Sequence, residues 1–144
     1  MKYPALTTCL FTLLVLSCNS EKKSAAATPS KPEDLEGSWV LNFVSGTKIA
    51  FDGLYPDRKP EMTITPEDGR ISGNTSCNSF SGPVKIEGNK ISFREPMATT
   101  RMACQGEGEA TFLKSLEEIN TYSVDGKTLV LIMDDIAMMR FRRK

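Results

Sequence analysis

Glu61-Met62-Thr63-Ile64-Thr65-Pro66-Glu67-Asp68-Gly69-Arg70-Ile71-Ser72-Gly73 is the stretch that decides the fold. Met62 and Ile64 alternate with polar neighbours, which is the period of a strand with one buried face. Pro66-Glu67-Asp68-Gly69 is turn chemistry, and Ile71 resumes the apolar face beyond it. The same unit recurs outward in both directions. Trp39, Leu41 and Phe43 alternate upstream. Val84 and Ile86 face Ile91 and Phe93 across Glu87-Gly88-Asn89, a hairpin signal. Tyr122 and Val124 lead through Asp125-Gly126 into Leu129-Val130-Leu131-Ile132-Met133, and Asp134-Asp135 turns the chain into Ile136 to Phe141. Short strands at this spacing predict a mainly β domain of barrel or sandwich type.

One segment breaks the period. Between Glu107 and Asn120 the apolar residues are Ala110, Phe112, Leu113, Leu116 and Ile119, which is helical spacing with one buried face. Glu107 and Glu109 favour its N-terminal end through the helix dipole. The fold class expected is therefore α+β, mainly β with one helix packing Phe112 and Leu116 on the sheet. An interfacial membrane helix is the competing reading, but its polar face mixes Glu117 and Glu118 with Lys114.

The N-terminus carries an address. Lys2 precedes the mostly apolar run Ala5 to Leu16, too short to span a bilayer, which takes about 20 residues. The run ends in Val15-Leu16-Ser17-Cys18, which looks like a bacterial lipobox. Residues 1–17 are expected to be a lipoprotein signal peptide. Cys18 is expected to carry the lipid, with palmitate-type acyl chains, since two or three chains anchor stably where one does not. Residues 18–34 hold the lipidated Cys and a polar tether of Ser, Ala, Lys, Glu, Thr and Pro. Residues 35–144 form the folded domain, about 110 residues. Asn19 follows Cys18 in place of an inner-membrane retention Asp, so the expected location is the cell envelope, at the outer membrane.

Export changes the meaning of the four cysteines. Cys9 leaves with the signal and Cys18 is lipidated. Cys77 and Cys104 remain, and in an oxidising compartment they are most simply a disulfide, with two buried free thiols as the alternative. A metal site is not expected, because two thiolates do not complete one and the chain has no His. The absence of His also removes an imidazole base, and paired thiols remove a Cys nucleophile. Glu67-Asp68 and Asp134-Asp135 fall at turns. No enzyme activity and no cofactor are expected. The chain has 18 basic and 18 acidic side chains. The basic end Arg140, Arg142, Arg143 and Lys144 reads as solvated residues closing an edge strand. It is too small for a nucleic-acid footprint, and no nucleic-acid partner is expected.

Gly37-Ser38-Trp39-Val40-Leu41, Ile71-Ser72-Gly73, Cys77-Asn78-Ser79-Phe80-Ser81-Gly82, Thr99-Thr100-Arg101-Met102-Ala103-Cys104, Glu109, Phe112 and Leu116 of the helix, Leu129-Val130-Leu131 and Met139-Arg140-Phe141 occur in that order. Together they resemble the META/HslJ family of bacterial envelope proteins. One departure is Ser76, where many members carry Gly. The resemblance implies a compact antiparallel β-barrel-like domain with one helix and lipocalin-like topology. It also implies association with envelope or heat stress, drug tolerance and, in some organisms, secretion or virulence, without an established enzymatic activity. The function expected is a non-enzymatic envelope lipoprotein with a stress-response or envelope-maintenance role, acting by binding. A lipocalin-like small-ligand binder and a periplasmic protein inhibitor are the alternatives. The membrane is the expected partner through the lipid on Cys18, alongside an envelope protein. Asn78, Ser79, Thr100 and Arg101 are the candidate binding surface, provided they are exposed and convergent. Otherwise they pack around the crosslink. Asp52 to Pro60, with two prolines and both charge signs, is the candidate inhibitor loop or an ordinary connection.

Overall fold

The fold is described from a computed structural model, which describes residues 30–144. The expected signal peptide, the expected lipidation site Cys18 and most of the expected tether lie outside the described residues. Strands β1 (Gly37–Val44), β2 (Glu61–Thr65), β3 (Arg70–Asn74), β4 (Ser79–Pro83), β5 (Lys85–Glu87), β6 (Lys90–Ser92), β7 (Ala98–Thr99), β8 (Thr121–Asp125), β9 (Thr128–Met133) and β10 (Ile136–Arg143) form one antiparallel sheet. Two helices accompany them: a single turn, α1 (Phe51–Leu54), and α2 (Gly108–Glu118). The domain is mostly β with one main helix, as the alternation and the single helical segment predict.

The sheet order is β5-β6-β8-β9-β10-β1-β2-β3-β4-β7. Its two ends are the same stretch of chain. β4 runs through Val84 straight into β5, and β6 and β7 follow one another along the other side of that long strand. The sheet therefore curls back on itself, and each stave is followed by its chain neighbour in an up-and-down order. This is the meander topology of small barrels. The narrowest seam is β6 against β8, where Lys90 alone pairs with Thr121.

Alternation fills the inside. Trp39, Leu41, Met62, Ile64, Ile71, Leu129, Leu131 and Phe141 are all fully buried. At about 25 cal/mol per Å2 of apolar surface removed from water, each large side chain contributes on the order of 1.5–3 kcal/mol. Gly73 is dictated by closeness: a Cβ there would strike the Glu61 carbonyl of β2, so the backbones touch where β2 and β3 cross the wall.

The two ends of the barrel are stoppered differently. At one end a 3-10 turn at Pro32–Leu35 drives Leu35 inward, and Trp39 donates its indole N–H to the Leu35 carbonyl at 2.8 Å. Arg143 stacks 4.1 Å over the Trp39 ring and donates to the carbonyls of Glu36 and Asp34. Arg140, Arg142 and Lys144 of the C-terminal cluster are exposed, as expected for solvated residues, but the edge-strand placement and the solvation of Arg143 are corrected. β10 is flanked by β9 and β1, and Arg143 is a bracket closing the barrel over its tryptophan. At the other end lies α2, whose buried face carries Phe112, Ser115 and Leu116. Phe112 packs 5.6 Å from the Phe80 ring. Ser30, the first described residue, bonds Val124 at the tryptophan end, so the described chain begins opposite α2.

Candidate functional site

The β3–β4 turn, the strap from Thr100 to Cys104 and the start of α2 meet at the helix end. Cys77 and Cys104 are joined in a disulfide with Cα atoms 6.0 Å apart. Asn78, next to the bridge, is only 1% exposed. Its Oδ1 accepts from the Met102 amide and the Thr100 hydroxyl, both at 2.8 Å. Its Nδ2 donates to the Met102 carbonyl and to Glu109 Oε1, both at 3.1 Å. An amide is the one side chain here that can accept on one branch and donate on the other, and both branches are used.

Glu109 completes the cluster. Its Oε2 accepts from the Thr75 hydroxyl and from the Asn78 amide at 3.2 Å, and lies 3.6 Å from Cys104 Sγ. The first turn of α2 is therefore pinned to the crosslinked turn. Reading Glu109 only as a dipole partner missed this role. The signal available was its position five residues past Cys104. The carboxylate and the two sulfurs are the one group of potential metal ligands among the described residues. Both sulfurs are spent in the disulfide and the carboxylate is already engaged by donors, so as it stands the cluster is a clasp.

The candidate binding surface therefore divides. Asn78 is corrected from a surface contact to a buried bracket, because its polar atoms are consumed within the domain. Ser79, Thr100 and Arg101 are exposed. Thr100 Oγ1 also accepts from the Ser79 amide at 3.1 Å. Ser72 and Ser81 are cross-strand partners on the adjoining wall. The Asp52 to Pro60 segment divides in the same way. Leu54 and Tyr55 are buried, and the Tyr55 hydroxyl donates to the Gly108 carbonyl at 3.0 Å. Burial pushes the Tyr55 phenol up to about 12. Pro56 to Lys59 are exposed, leaving a short tip in place of a long protruding loop.

Ser76 has φ of 87°, a left-handed conformation that glycine adopts freely and serine does not. This explains why a glycine is usual before this cysteine. Ser76→Gly is expected to raise the unfolding free energy by up to about 1 kcal/mol, because relieved backbone strain exceeds the added freedom of the unfolded chain. Urea unfolding of the two proteins side by side measures the difference. A glycine variant less stable than the parent would show that Ser76 is not strained.

The helix end also gathers exposed apolar side chains. Ile49, Met102 and Ile136 are 40%, 61% and 52% exposed, and they are the exposed large hydrophobics among the described residues. Strand register puts all three at the same end. Val44 of β1 pairs with Met139 near the start of β10, Glu61 at the start of β2 pairs with Asn74, and Thr100 bonds Ser79 at the start of β4.

The META domain family model matches residues 33–144. Among solved structures, the chain is similar to a protein from Burkholderia xenovorans determined by NMR. The identity is 24% and the TM-score 0.63, covering 90% of this chain and 99% of that one. A second NMR structure is 23% identical with a TM-score of 0.58, covering 79% and 95%. A DUF4847 family protein from Bacteroides vulgatus is 12% identical with a TM-score of 0.55, covering 76% and 94%. These likenesses show a shared fold. No curated protein matches the chain.

Proposed function

The chain belongs to the META domain family, and from that premise we propose that it is a non-enzymatic, lipid-anchored envelope protein with a stress-response or envelope-maintenance role, acting by binding a protein partner. Binding occurs on the outside of the domain. The filled interior weighs against a lipocalin-like carrier, since Trp39, Met62, Phe93, Phe112 and Phe141 occupy the space a ligand would need. The observation that carries the reading is the placement of Ile49, Met102 and Ile136 together at the helix end. Single exposed apolar residues are ordinary, but finding all three exposed large hydrophobics of the described residues at the end opposite the tether directs contact to that end. Arg101, Thr100 and Ser79 give that end a polar border. The anchor at Cys18 holds the protein at the outer membrane, and the tether leaves the helix end free to meet a neighbour.

Deletion of the gene is expected to sensitise cells to heat or detergent. The wild-type chain restores tolerance. A variant carrying Ile49→Asp, Met102→Asp and Ile136→Asp is expected not to restore it while remaining folded and membrane-bound. Full rescue by the folded triple variant contradicts the contact surface. Cys18→Ala is expected to leave the membrane fraction, and its retention there contradicts the anchor.

A further inference from the structure

The clasp at the helix end holds a chemistry that its crosslink hides. Cys77 Sγ, Cys104 Sγ and a Glu109 carboxylate oxygen all lie within 4.8 Å of one another. Cys104 Sγ and Glu109 Oε2 are 3.6 Å apart. Two ligands of one tetrahedral zinc, at about 2.3 Å for sulfur and about 2.0 Å for oxygen, stand roughly 3.5 Å from each other. The carboxylate and this sulfur therefore already have the spacing that a shared ion needs. Cys77 and Cys104 also line a surface cavity of about 480 Å3, walled by Tyr55, Pro56 and Met102. It gives a reductant, and then an ion, a path to the sulfurs.

We infer that reduction of this disulfide turns the clasp into a site for one zinc-type cation, held by Cys77 Sγ, Cys104 Sγ and Glu109 Oε2. A dithiol supplies the two electrons: its own sulfurs pair, the Cys77–Cys104 bond breaks, and two thiols form. Binding of the ion then releases the two thiol protons to water. Two thiolates alone do not complete a site, so Glu109 supplies the third protein ligand and water the fourth. The thiolates select the ion, since soft sulfur favours zinc over magnesium or calcium. The sulfurs must part to roughly 3.8 Å to share it, which rotation about the two Cα–Cβ bonds allows with the Cα atoms 6.0 Å apart. Oε2 can be freed for the metal, because the Thr75 hydroxyl that bonds it has a second acceptor in the Asn78 carbonyl at 3.1 Å. Asn78 stands behind the ligands. Its Nδ2 lies 3.1 Å from both Glu109 Oε1 and Cys104 Sγ, and such outer bonds hold metal ligands in place. This site goes beyond the partner-docking reading and does not rest on it, because Ile49, Met102 and Ile136 supply no ligand.

The test uses the full chain in detergent, carrying Cys9→Ser and Cys18→Ser so that Cys77 and Cys104 are its only thiols. The chain is reduced with dithiothreitol, which is then removed without air. Co2+ is expected to give the reduced chain intense sulfur-to-metal absorption and tetrahedral visible bands, both abolished by a single equivalent of Zn2+. The oxidised chain gives neither. Zn2+ is expected to raise the Tm of the reduced chain and leave that of the oxidised chain unchanged. Glu109→Gln keeps both thiols and is expected to weaken zinc binding by about tenfold or more, while Glu107→Gln leaves it unchanged. A reduced chain without cobalt–thiolate absorption, equal zinc affinity in the two redox states, no rise in Tm, or undiminished affinity in Glu109→Gln overturns the inference.

Discussion

Replacing Cys77 and Cys104 with alanine lowers the unfolding free energy by about 3.5 kcal/mol. The two residues are 27 positions apart, and the chain-entropy relation for a loop of that length gives this figure. For a domain of about 110 residues the loss corresponds to a drop of roughly 15 °C in Tm. The variant still folds, because Asn78 grips Thr100 and Met102 of the strap independently of the sulfurs. Thermal unfolding under non-oxidising and oxidising conditions separates the two contributions. The wild type should lose its advantage when reduced, and the double variant should be indifferent to reductant. A loss below about 1 kcal/mol would mean that the unfolded chain gains little freedom when the bridge is removed.

Asn78→Ala is expected to cost about 3 kcal/mol, large for a side chain of this size. It strands the Met102 amide and carbonyl and removes a donor from Glu109, in a partly buried setting around the buried Asn78 site. Asn78→Asp keeps the shape and is expected to cost at least as much at neutral pH. The new carboxylate cannot donate to the Met102 carbonyl, and it faces Glu109 at hydrogen-bond range. The pH dependence distinguishes the two variants. A carboxylate forced beside another binds its proton more tightly folded than unfolded. The Asp variant therefore recovers stability as pH falls through that raised pKa, while the Ala variant does not. Chemical denaturation across the acid range measures this, and parallel pH profiles for the two variants would contradict the bracket.

Local pattern carries the parts of this architecture that local chemistry fixes. The helix follows from Phe112, Leu113, Leu116 and Ile119, and its observed bounds fall inside the Glu107 to Asn120 segment. The hairpin at Gly88 follows from the turn Glu87-Gly88-Asn89, where Gly88 has φ of 58°, between Ile86 and its cross-strand partner Ile91. What is illegible is long-range. Arg143 and Trp39 lie at opposite ends of the chain, so nothing local marks the stack that closes the barrel. The one-turn helix α1 is too short to show a period and contains Gly53, so Leu54 and Tyr55 look like surface loop. Asn78 sits in Cys-Asn-Ser-Phe-Ser, where alternation permits either face. Its burial is decided by the strap arriving from residues 100 to 104. Glu109 is misread for the same reason, because its partners Thr75 and Asn78 come from another hairpin.

In the proposed role this domain works through the outside of its helix end. A photo-crosslinking amino acid placed at position 102, and separately at position 125 on the tether end, addresses it directly in living cells. The full-length chain expressed in its own cells should give a discrete higher-mass adduct from position 102 after irradiation and none from position 125. Adducts from position 125 alone, or from neither position, would contradict it.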